Sequence, residues 1–292
     1  MLQQLLEAKN PLVQANKAGP ARTHSFPWWG GKYRLAPEIV KHLPEHRIYV
    51  EVFGGAASVL LAKPPSRIEV YNDKDGRLVN LFEVVRNQPI EFLQHAQHLL
   101  YSRQLFEHWK RYIWTAPWPE RFTVVRGDKV ELAVMTYYTI VSGFVGDPTK
   151  GWAFEKQHRH GGADRWASIS SRIAPLSERF RHVAIDHLDF RDCIKNWDSL
   201  ETLFYCDPPY VKMTQTGVYR FSWEHHLELC ELLHKIQGRF LLSYDDVPQI
   251  RSLYSDCSIL EIKAPLMSKK LNRGERRRSL RQILIANYNL EG

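Results

Sequence analysis

The feature that most constrains the fold is an alternation of strand and helix patterns that holds at both ends of the chain and breaks in the middle. Residues 47–53 form a short apolar run rich in β-forming residues, and residues 67–71 are predicted to form a second strand. The first run ends at Gly54-Gly55, and the second is followed by Asp73, 18 residues after Gly55. A strand, a glycine turn, a helix and a second strand ending near a carboxylate are typical of a doubly wound, parallel α/β sheet.

The same alternation returns in the last third of the chain. Strand patterns lie at residues 182–186, 202–206 and 240–244, and residues 258–262 and 282–288 are expected to pair as the last two strands. Helical spacing is predicted for residues 35–43, 56–62, 78–86 and 223–236. Both ends of the chain therefore predict one α/β domain that is interrupted by an insertion.

The insertion is predicted at residues 88–180, where the pattern is helical or irregular and five tryptophans occur. Most of these tryptophans are expected to be ordinary core residues. Residues 1–25 have no strong periodic pattern and are expected to be an extension. The core domain is then formed by residues 26–87 together with residues 181–292.

Composition places the chain among globular proteins and separates it from several other classes. No apolar run is long enough to span a bilayer, and the amino-terminal residues lack the order of a secretory signal. The four cysteines have no metal-ligand spacing, so no metal site is predicted. They are interpreted as reduced thiols of a cytoplasmic protein.

The formal net charge of +8 is partly concentrated in one segment. Residues 268–282 contain seven Lys or Arg against one Glu. Taken alone, such a run is equally compatible with a solvated loop and with an element that binds phosphates.

The most informative motif is Asp207-Pro208-Pro209-Tyr210, directly after a predicted strand. Open α/β sheets bind ligands at the carboxyl ends of their strands. The prolines fix the backbone and leave its carbonyls as acceptors, and the tyrosine ring can stack on a planar base. The motif can thus hold both hydrogens of an amino group on a purine. An ordinary turn after a strand is the alternative.

The glycine turn in Glu51–Ser58 would let the backbone approach a cofactor closely. By itself the turn is a weak signal. Glycines at the spacing of a dinucleotide-binding motif are missing, which disfavours NAD, and Gly31-Lys32 is followed by Tyr33 rather than by the hydroxyl residue of a phosphate loop.

Taken together, these motifs resemble the Dam-type (class D12, alpha-group) adenine-N6 DNA methyltransferases over about residues 26–290. The matching segments, in chain order, are Trp28–Lys32, Glu51–Ser58, Asn72-Asp73, Asp207–Tyr210 and Phe221–Leu229 with His225 or His226, followed by the strand at 240–244. Val52 departs from the family pattern, in which proline is common, and so does the detail of the glycine arrangement.

The resemblance implies a Rossmann-like, S-adenosylmethionine-dependent methyltransferase sheet in which residues 88–180 form a mainly helical target-recognition domain. It implies S-adenosylmethionine as methyl donor, S-adenosylhomocysteine as product and no metal. The implied cofactor-binding residues are Trp29, Gly31, Lys32, Glu51, Phe53, Gly54, Asp73 and Asp207.

The resemblance also implies that an adenine is flipped out of duplex DNA, which costs about a few kcal/mol. Tyr210 would stack on the base, while Asp207 and the Pro208 carbonyl would accept hydrogen bonds from its amino group. The amino nitrogen would then attack the methyl group in line. Pro209 completes the implied catalytic motif.

The resemblance implies double-stranded DNA as the partner. It also favours phosphate binding, rather than a solvated loop, as the role of the basic segment. The predicted DNA-binding residues are Arg159, Arg165, Lys269, Lys270, Arg273, Arg276, Arg277 and Arg278. His160 and Trp166 are further candidates for base contacts.

Several alternatives stay open. Methylation of cytosine N4 or of RNA adenine, or a DNA-binding protein that has lost catalysis, would share much of this pattern. The recognition sequence, the choice between monomer and homodimer, and a cognate restriction endonuclease are not fixed. Location on the bacterial nucleoid or in a phage-infected cell is expected.

Overall fold

The computed structural model describes residues 25–114, 128–153, 162–211, 221–265 and 279–290, and the side chains of residues 165, 263–265 and 279–281 are not described. The predicted extension at residues 1–25 lies outside these ranges except for Ser25. The connecting part of the basic segment, residues 266–278, lies outside them as well.

Seven strands and eleven helices make up the regular structure of these residues. The strands are β1 (Ile48–Glu51), β2 (Ile68–Asn72), β3 (Val183–Asp186), β4 (Thr202–Cys206), β5 (Arg239–Asp245), β6 (Ser258–Pro265) and β7 (Ser279–Ala286). The helices are α1 (Ala36–Lys41), α2 (Ser58–Ala62), α3 (Gly76–Asn87), α4 (Pro89–Gln97), α5 (Arg103–Trp114), α6 (Lys129–Ser142), α7 (Gly162–Ala167), α8 (Ser170–Phe180), α9 (Phe190–Trp197), α10 (Trp223–Lys235) and α11 (Pro248–Leu253).

The strands form one mixed sheet in the order β3-β2-β1-β4-β5-β7-β6. β1 pairs in parallel with β2 and with β4, and β4 pairs in parallel with β5. β7 is antiparallel to both β5 and β6. The α/β class is confirmed, and the expected pairing of the last two strands is correct. The sheet is not wholly parallel, because β7 lies between β5 and β6 and runs antiparallel to both of them.

The chain divides into two compact units. Of the described residues, unit 1 comprises those within 25–31, 55–62 and 73–187, and unit 2 comprises those within 32–54, 63–72 and 188–290. The proposed target-recognition segment, residues 88–180, falls within unit 1, and its boundaries stay a prediction. Unit 2 contains every strand except β3.

Unit 1 is held together mainly by packing between helices. α6 is buried over most of its length, and α3 packs on it. Phe82 on α3 stacks on Phe180 of α8, with ring centroids 4.5 Å apart. The indole of Trp166 is buried, and its N–H donates to the Leu99 carbonyl over 3.1 Å. Trp109 is buried too. For these two tryptophans, the prediction of core packing is confirmed.

The core of unit 2 is the sheet. All five residues of β4 are buried, and so are the last six of β5. Such continuous apolar strands need cover on both faces. α9 and α10 pack on each other. Ser222 caps α10: its side chain accepts from the backbone of His225, whose ring accepts in turn from the Ser222 N–H over 2.8 Å.

Candidate active site

Asp207 follows β4 at the carboxyl edge of the sheet. β1, β2, β4 and β5 run in parallel, so their last residues, Glu51, Asn72, Cys206 and Asp245, end at this same edge. In open α/β sheets, ligands bind at this edge. The motif at 207–210 therefore lies where the strand pattern predicted it.

Two donors fix the carboxylate of Asp207. Lys32 Nζ lies 2.6 Å from both carboxylate oxygens, and Ser243 Oγ donates to Oδ1 over 2.9 Å. The Tyr205 hydroxyl lies 3.1 Å from Ser243 Oγ and extends the network into the sheet. Side-chain exposure is 5% for Lys32 and 17% for Asp207. The ion pair is therefore largely shielded from water, and the carboxylate has one defined orientation.

Tyr210 lies beside this ion pair. Lys32 Nζ is 4.7 Å from the centroid of the Tyr210 ring, which is a cation–π contact. The Tyr244 ring is tilted against the Tyr210 ring, with the two centroids 5.8 Å apart. Burial and the charge of Asp207 raise the pKa of Tyr210 well above its ordinary value, so Tyr210 is a neutral phenol. A half-buried, neutral ring beside an anchored carboxylate can stack on a flat base.

His226 is the histidine of the Phe221–Leu229 segment that belongs to this network. It is buried, and its Nδ1 lies 2.5 Å from the Tyr244 hydroxyl. Burial, followed by the charge of His225, lowers the pKa of His226 to about 4. The ring is thus neutral near pH 7, and its contact with the Tyr244 hydroxyl helps to hold that tyrosine in place. His225 instead caps α10.

The end of β1 carries an aromatic cluster. Phe53 is half-buried; it stacks on Phe190, with centroids 5.8 Å apart, and meets Phe221 edge-on at the same distance. Glu51 is buried and accepts a hydrogen bond from the Tyr49 hydroxyl over 2.9 Å. A partly open ring next to a buried carboxylate can hold an aromatic heterocycle that carries polar groups.

Gly54 is required by packing. A Cβ on Gly54 would lie 2.2 Å from Cε2 of Tyr71, a fully buried residue of β2. The Gly54 N–H donates to the Asn72 carbonyl over 2.8 Å, which holds the backbone close to β2. The sequence pattern suggested close approach to a cofactor, and the structure shows that a neighbouring tyrosine already demands glycine here.

Replacing Gly54 by alanine is expected to destabilise the protein by about 1–3 kcal/mol, because overpacking beside a buried ring forces the backbone or the ring to move. Urea unfolding measures this change. Gly151→Ala is the matched control, since a Cβ on Gly151 meets nothing within 4 Å. Equal stability of the two variants would contradict this account of the turn.

In unit 1, Asp73 is tied to the glycine turn. Its Oδ2 accepts from the Gly55 N–H and its Oδ1 from the Asp75 N–H, both over 2.7 Å. Gly55 has φ +48°, in the left-handed region that favours glycine. Burial, followed by the charge of Asp75, raises the pKa of Asp73 to about 6. A carboxylate held this way is a suitable acceptor for a pair of ribose hydroxyls.

The Trp28–Lys32 segment forms a turn. The Gly31 N–H donates to the Trp28 carbonyl over 3.0 Å. Within unit 1, the Trp28 ring packs near Trp114 with centroids 6.4 Å apart, and Lys150 Nζ lies 4.5 Å from the Trp29 ring centroid. Trp29 remains half-buried.

Three residues that sequence reasoning did not assign complete the site: Ser243, Tyr244 and Phe190. Ser243 is a fully buried polar residue that directly follows the apolar run Phe240–Leu242 of β5, and that position is the signal that could have found it. Tyr244 and Phe190 carry no such signal, because aromatic residues are common in cores.

None of the predicted DNA-binding side chains can be located. Arg159, Lys269, Lys270, Arg273, Arg276, Arg277 and Arg278 lie outside the described residues, and of Arg165 only the backbone in α7 is described. His160 lies outside them as well.

The sheet order and the motif after β4 define the class: an α/β protein with a Rossmann-like methyltransferase sheet. The chain belongs to the D12 class N6 adenine-specific DNA methyltransferase family, whose model matches residues 28–266. It is 37% identical over 263 residues to the DNA adenine methylase of Vibrio cholerae serotype O1 (strain ATCC 39541), covering 81% of this chain and 86% of that protein.

Two further relatives are also named DNA adenine methylase. The protein of Escherichia coli (strain K12) is 24% identical over 249 residues, covering 81% of this chain and 85% of that protein. The protein of Serratia marcescens is 24% identical over 247 residues, covering 81% of this chain and 88% of that protein. Methyltransferases of this family take the methyl group from S-adenosylmethionine. Among the described helices, none is long and apolar enough to cross a membrane.

Proposed function

We propose that this protein transfers a methyl group from S-adenosylmethionine to N6 of a flipped-out adenine at a specific sequence in duplex DNA. The observation that carries the proposal is the carboxylate of Asp207, held by Lys32 and Ser243 beside the half-buried ring of Tyr210. Family membership supplies the reaction, and this geometry supports the roles that we propose for individual residues.

The residues on each unit fit the proposed methyl donor. In unit 2, the Phe53 ring is partly open within its aromatic cluster and can take a purine face. In unit 1, Asp73 is a fixed acceptor for ribose hydroxyls. We assign cofactor binding to Trp29, Gly31, Lys32, Glu51, Phe53, Gly54, Asp73 and Asp207. When bound, S-adenosylmethionine supplies an electrophilic methyl group on a sulfonium centre.

Asp207 and the Pro208 carbonyl are proposed to accept the two hydrogens of the adenine amino group. Two acceptors orient the nitrogen lone pair and stabilise the positive charge that develops on nitrogen. Tyr210 stacks on the base, and Pro209 keeps the turn rigid. The protein acts by orientation and electrostatics and needs no covalent intermediate.

Lys32 gains a second proposed role from its contacts. The sequence pattern assigned it to the cofactor pocket, and its ammonium group lies 2.6 Å from both oxygens of Asp207. It therefore sets the orientation of the carboxylate. The cation–π contact with Tyr210 links that orientation to the stacking ring.

DNA binding is assigned to the basic segment and to residues 88–180. We propose that Lys269, Lys270, Arg273, Arg276, Arg277 and Arg278 neutralise phosphates and that Arg159 and Arg165 contact bases. The enzyme would act in the bacterial cytoplasm, on nucleoid or phage DNA, as a monomer or homodimer, and its methyl transfer would need no metal. A cognate restriction endonuclease is the partner that would explain a modification role.

Asp73 predicts a pH dependence of cofactor binding. Hydroxyl donors favour the ionised carboxylate, so affinity for S-adenosylhomocysteine is expected to be full above about pH 6 and to fall up to tenfold per pH unit below it. The effect on folding has the opposite sign. Because the pKa is raised, ionised Asp73 costs stability above about pH 6. This cost declines as the pH falls below about 6 and is gone below the ordinary carboxyl pKa of 3.8.

Isothermal titration calorimetry of wild type, Asp73→Asn and Asp192→Asn from pH 5 to pH 8 tests this. Asp73→Asn should bind about 10- to 100-fold more weakly at pH 7.5 and lose most of the pH dependence. Asp192 is exposed on α9, and its variant should follow wild type. A wild-type affinity that is constant down to pH 5 would rule out ribose binding by an ionised Asp73.

Transfer of labelled methyl groups tests the proposed substrate. Purified protein is incubated with tritiated S-adenosylmethionine and duplex DNA, single-stranded DNA or RNA, and the products are digested to nucleosides for mass spectrometry. We expect N6-methyldeoxyadenosine from duplex DNA. N4-methyldeoxycytidine, or label in RNA alone, would replace the proposal with one of the alternative methyl acceptors. Cofactor binding without turnover would indicate a DNA-binding protein that has lost catalysis.

A further inference from the structure

Three side chains of metal-ligating type meet at the edge of the sheet opposite to Asp207, within unit 2. His234 lies near the end of α10, and Asp256 and Cys257 lie between α11 and β6. This edge is where β5 and β6 begin and β7 ends. Neither the proposed methyl transfer nor DNA binding uses these residues, which we call the His234 cluster.

The ligand atoms of the cluster are close together. His234 Nε2 lies 3.1 Å from Asp256 Oδ1, and Cys257 Sγ lies 3.8 Å from each of these two atoms. A point equidistant from three atoms at these separations lies about 2.1 Å from each. Bonds from zinc are about 2.0–2.1 Å to histidine nitrogen, about 2.0–2.2 Å to carboxylate oxygen and about 2.3 Å to sulfur. One ion can therefore bind all three atoms with small side-chain movements.

A backbone contact orients His234 as a ligand. Its Nδ1 lies 2.7 Å from the Cys230 carbonyl oxygen, which can only accept a hydrogen bond, so Nδ1 carries the hydrogen. In the neutral ring the lone pair is then on Nε2, which faces Asp256 and Cys257. Histidine ligands of metals are commonly fixed by a hydrogen bond of this kind from the second ring nitrogen.

We propose that the His234 cluster binds one thiophilic divalent metal ion, of which Zn²⁺ is the representative. Nitrogen and sulfur ligands favour such an ion over Mg²⁺ or Ca²⁺, which prefer oxygen. A surface cavity of about 360 Å³ is lined by the cluster together with residues of β5–β7 and gives room for a water molecule as fourth ligand.

The bound ion connects the end of α10 to the segment that leads into β6. It therefore stabilises the fold at a position remote from the reaction. Linear spacing could not predict this site, because His234 lies 22 residues before Asp256 and only the return of the chain after β5 and α11 brings them together.

Titration of the untagged, full-length protein with Co²⁺ after treatment with EDTA tests the proposal. We expect one Co²⁺ per chain, with a thiolate-to-Co²⁺ charge-transfer band in the near ultraviolet and the visible bands of a four-coordinate ion. Zn²⁺ should displace the Co²⁺. At a Zn²⁺ concentration about 100 times the Kd, the thermal midpoint should rise by about 5 °C.

Three variants identify the ligands, and a fourth serves as the control. Cys257→Ser should abolish the charge-transfer band, and His234→Gln and Asp256→Asn should weaken binding at least about tenfold. Cys230→Ser is the matched control, since it removes a neighbouring thiol and keeps the carbonyl that orients His234. Methyl transfer by Cys257→Ser should equal that of wild type.

Thermal unfolding in EDTA first establishes that each variant folds. Asp256→Asn changes a side chain that is 69% exposed, so it tests the site even where Cys257→Ser fails to fold. Absence of the charge-transfer band in wild type overturns the proposal. So does a band that persists in Cys257→Ser, or Co²⁺ affinity that is unchanged in Asp256→Asn.

Discussion

Asp207→Ala is expected to lower kcat for methyl transfer by at least about 10³-fold, the largest effect predicted for a single substitution. It removes the acceptor that orients the adenine amino group and stabilises its developing charge, and loss of one such electrostatic contact commonly costs about 10²–10³ in rate. It also releases Lys32 and Ser243 from their shared partner. Single-turnover transfer to a DNA duplex measures the chemical step directly.

The control for Asp207→Ala is Asp192→Ala, which alters an exposed carboxylate of the same unit. It should transfer methyl groups at the wild-type rate. The Kd for S-adenosylhomocysteine separates a catalytic loss from a binding loss in the Asp207 variant. A single-turnover rate within tenfold of wild type would remove Asp207 from the proposed mechanism.

Lys32→Met should have the second-largest effect, because it acts on stability and on activity together. The substitution leaves the carboxylate of Asp207, only 17% exposed, without its cation. An uncompensated buried charge costs about 3–5 kcal/mol, so a loss of about 2–4 kcal/mol in the free energy of unfolding is expected for this partly buried one. The rate of methyl transfer should fall about 10²-fold, since the carboxylate loses its fixed orientation.

A double variant distinguishes the electrostatic explanation from simple damage to packing. Adding Asp207→Asn to Lys32→Met removes the unpaired charge, so it should recover at least half of the lost stability, while the rate of methyl transfer should not recover. Additive losses from the two substitutions would show that the ion pair does not carry the effect.

The fold was predictable where local pattern and burial agree. The strand ending before Asp207 was recognisable because parallel strands buried on both faces are nearly continuous apolar runs. The strand ending near Asp73 was recognisable from its β-forming residues and the turn residues that follow it. For residues 88–180, the sequence predicted a mainly helical segment but not where its helices begin and end. Their boundaries depend on packing around α6, where most positions are buried and the amphipathic pattern is weak.

The candidate site was predictable in its motifs and not in its contacts. Asp207 and Tyr210 were identified from neighbouring residues in sequence. The partner of Asp207 was not, because Lys32 lies 175 residues away and only the fold brings them together. The same reasoning applies to the His234 cluster. The sequence explained the glycine at position 54 by close approach to a cofactor. The structure gives a second explanation, because a side chain there would collide with the ring of Tyr71.

The most direct test of the central claim is long-read sequencing of DNA from a host that has no DNA methylation of its own and expresses this protein. Cells expressing Asp207→Ala serve as the control. We predict N6-methyladenine at one short motif throughout the genome and none in the control. Unmodified adenines in cells whose protein is soluble and binds S-adenosylmethionine would contradict the assignment of adenine in duplex DNA as substrate.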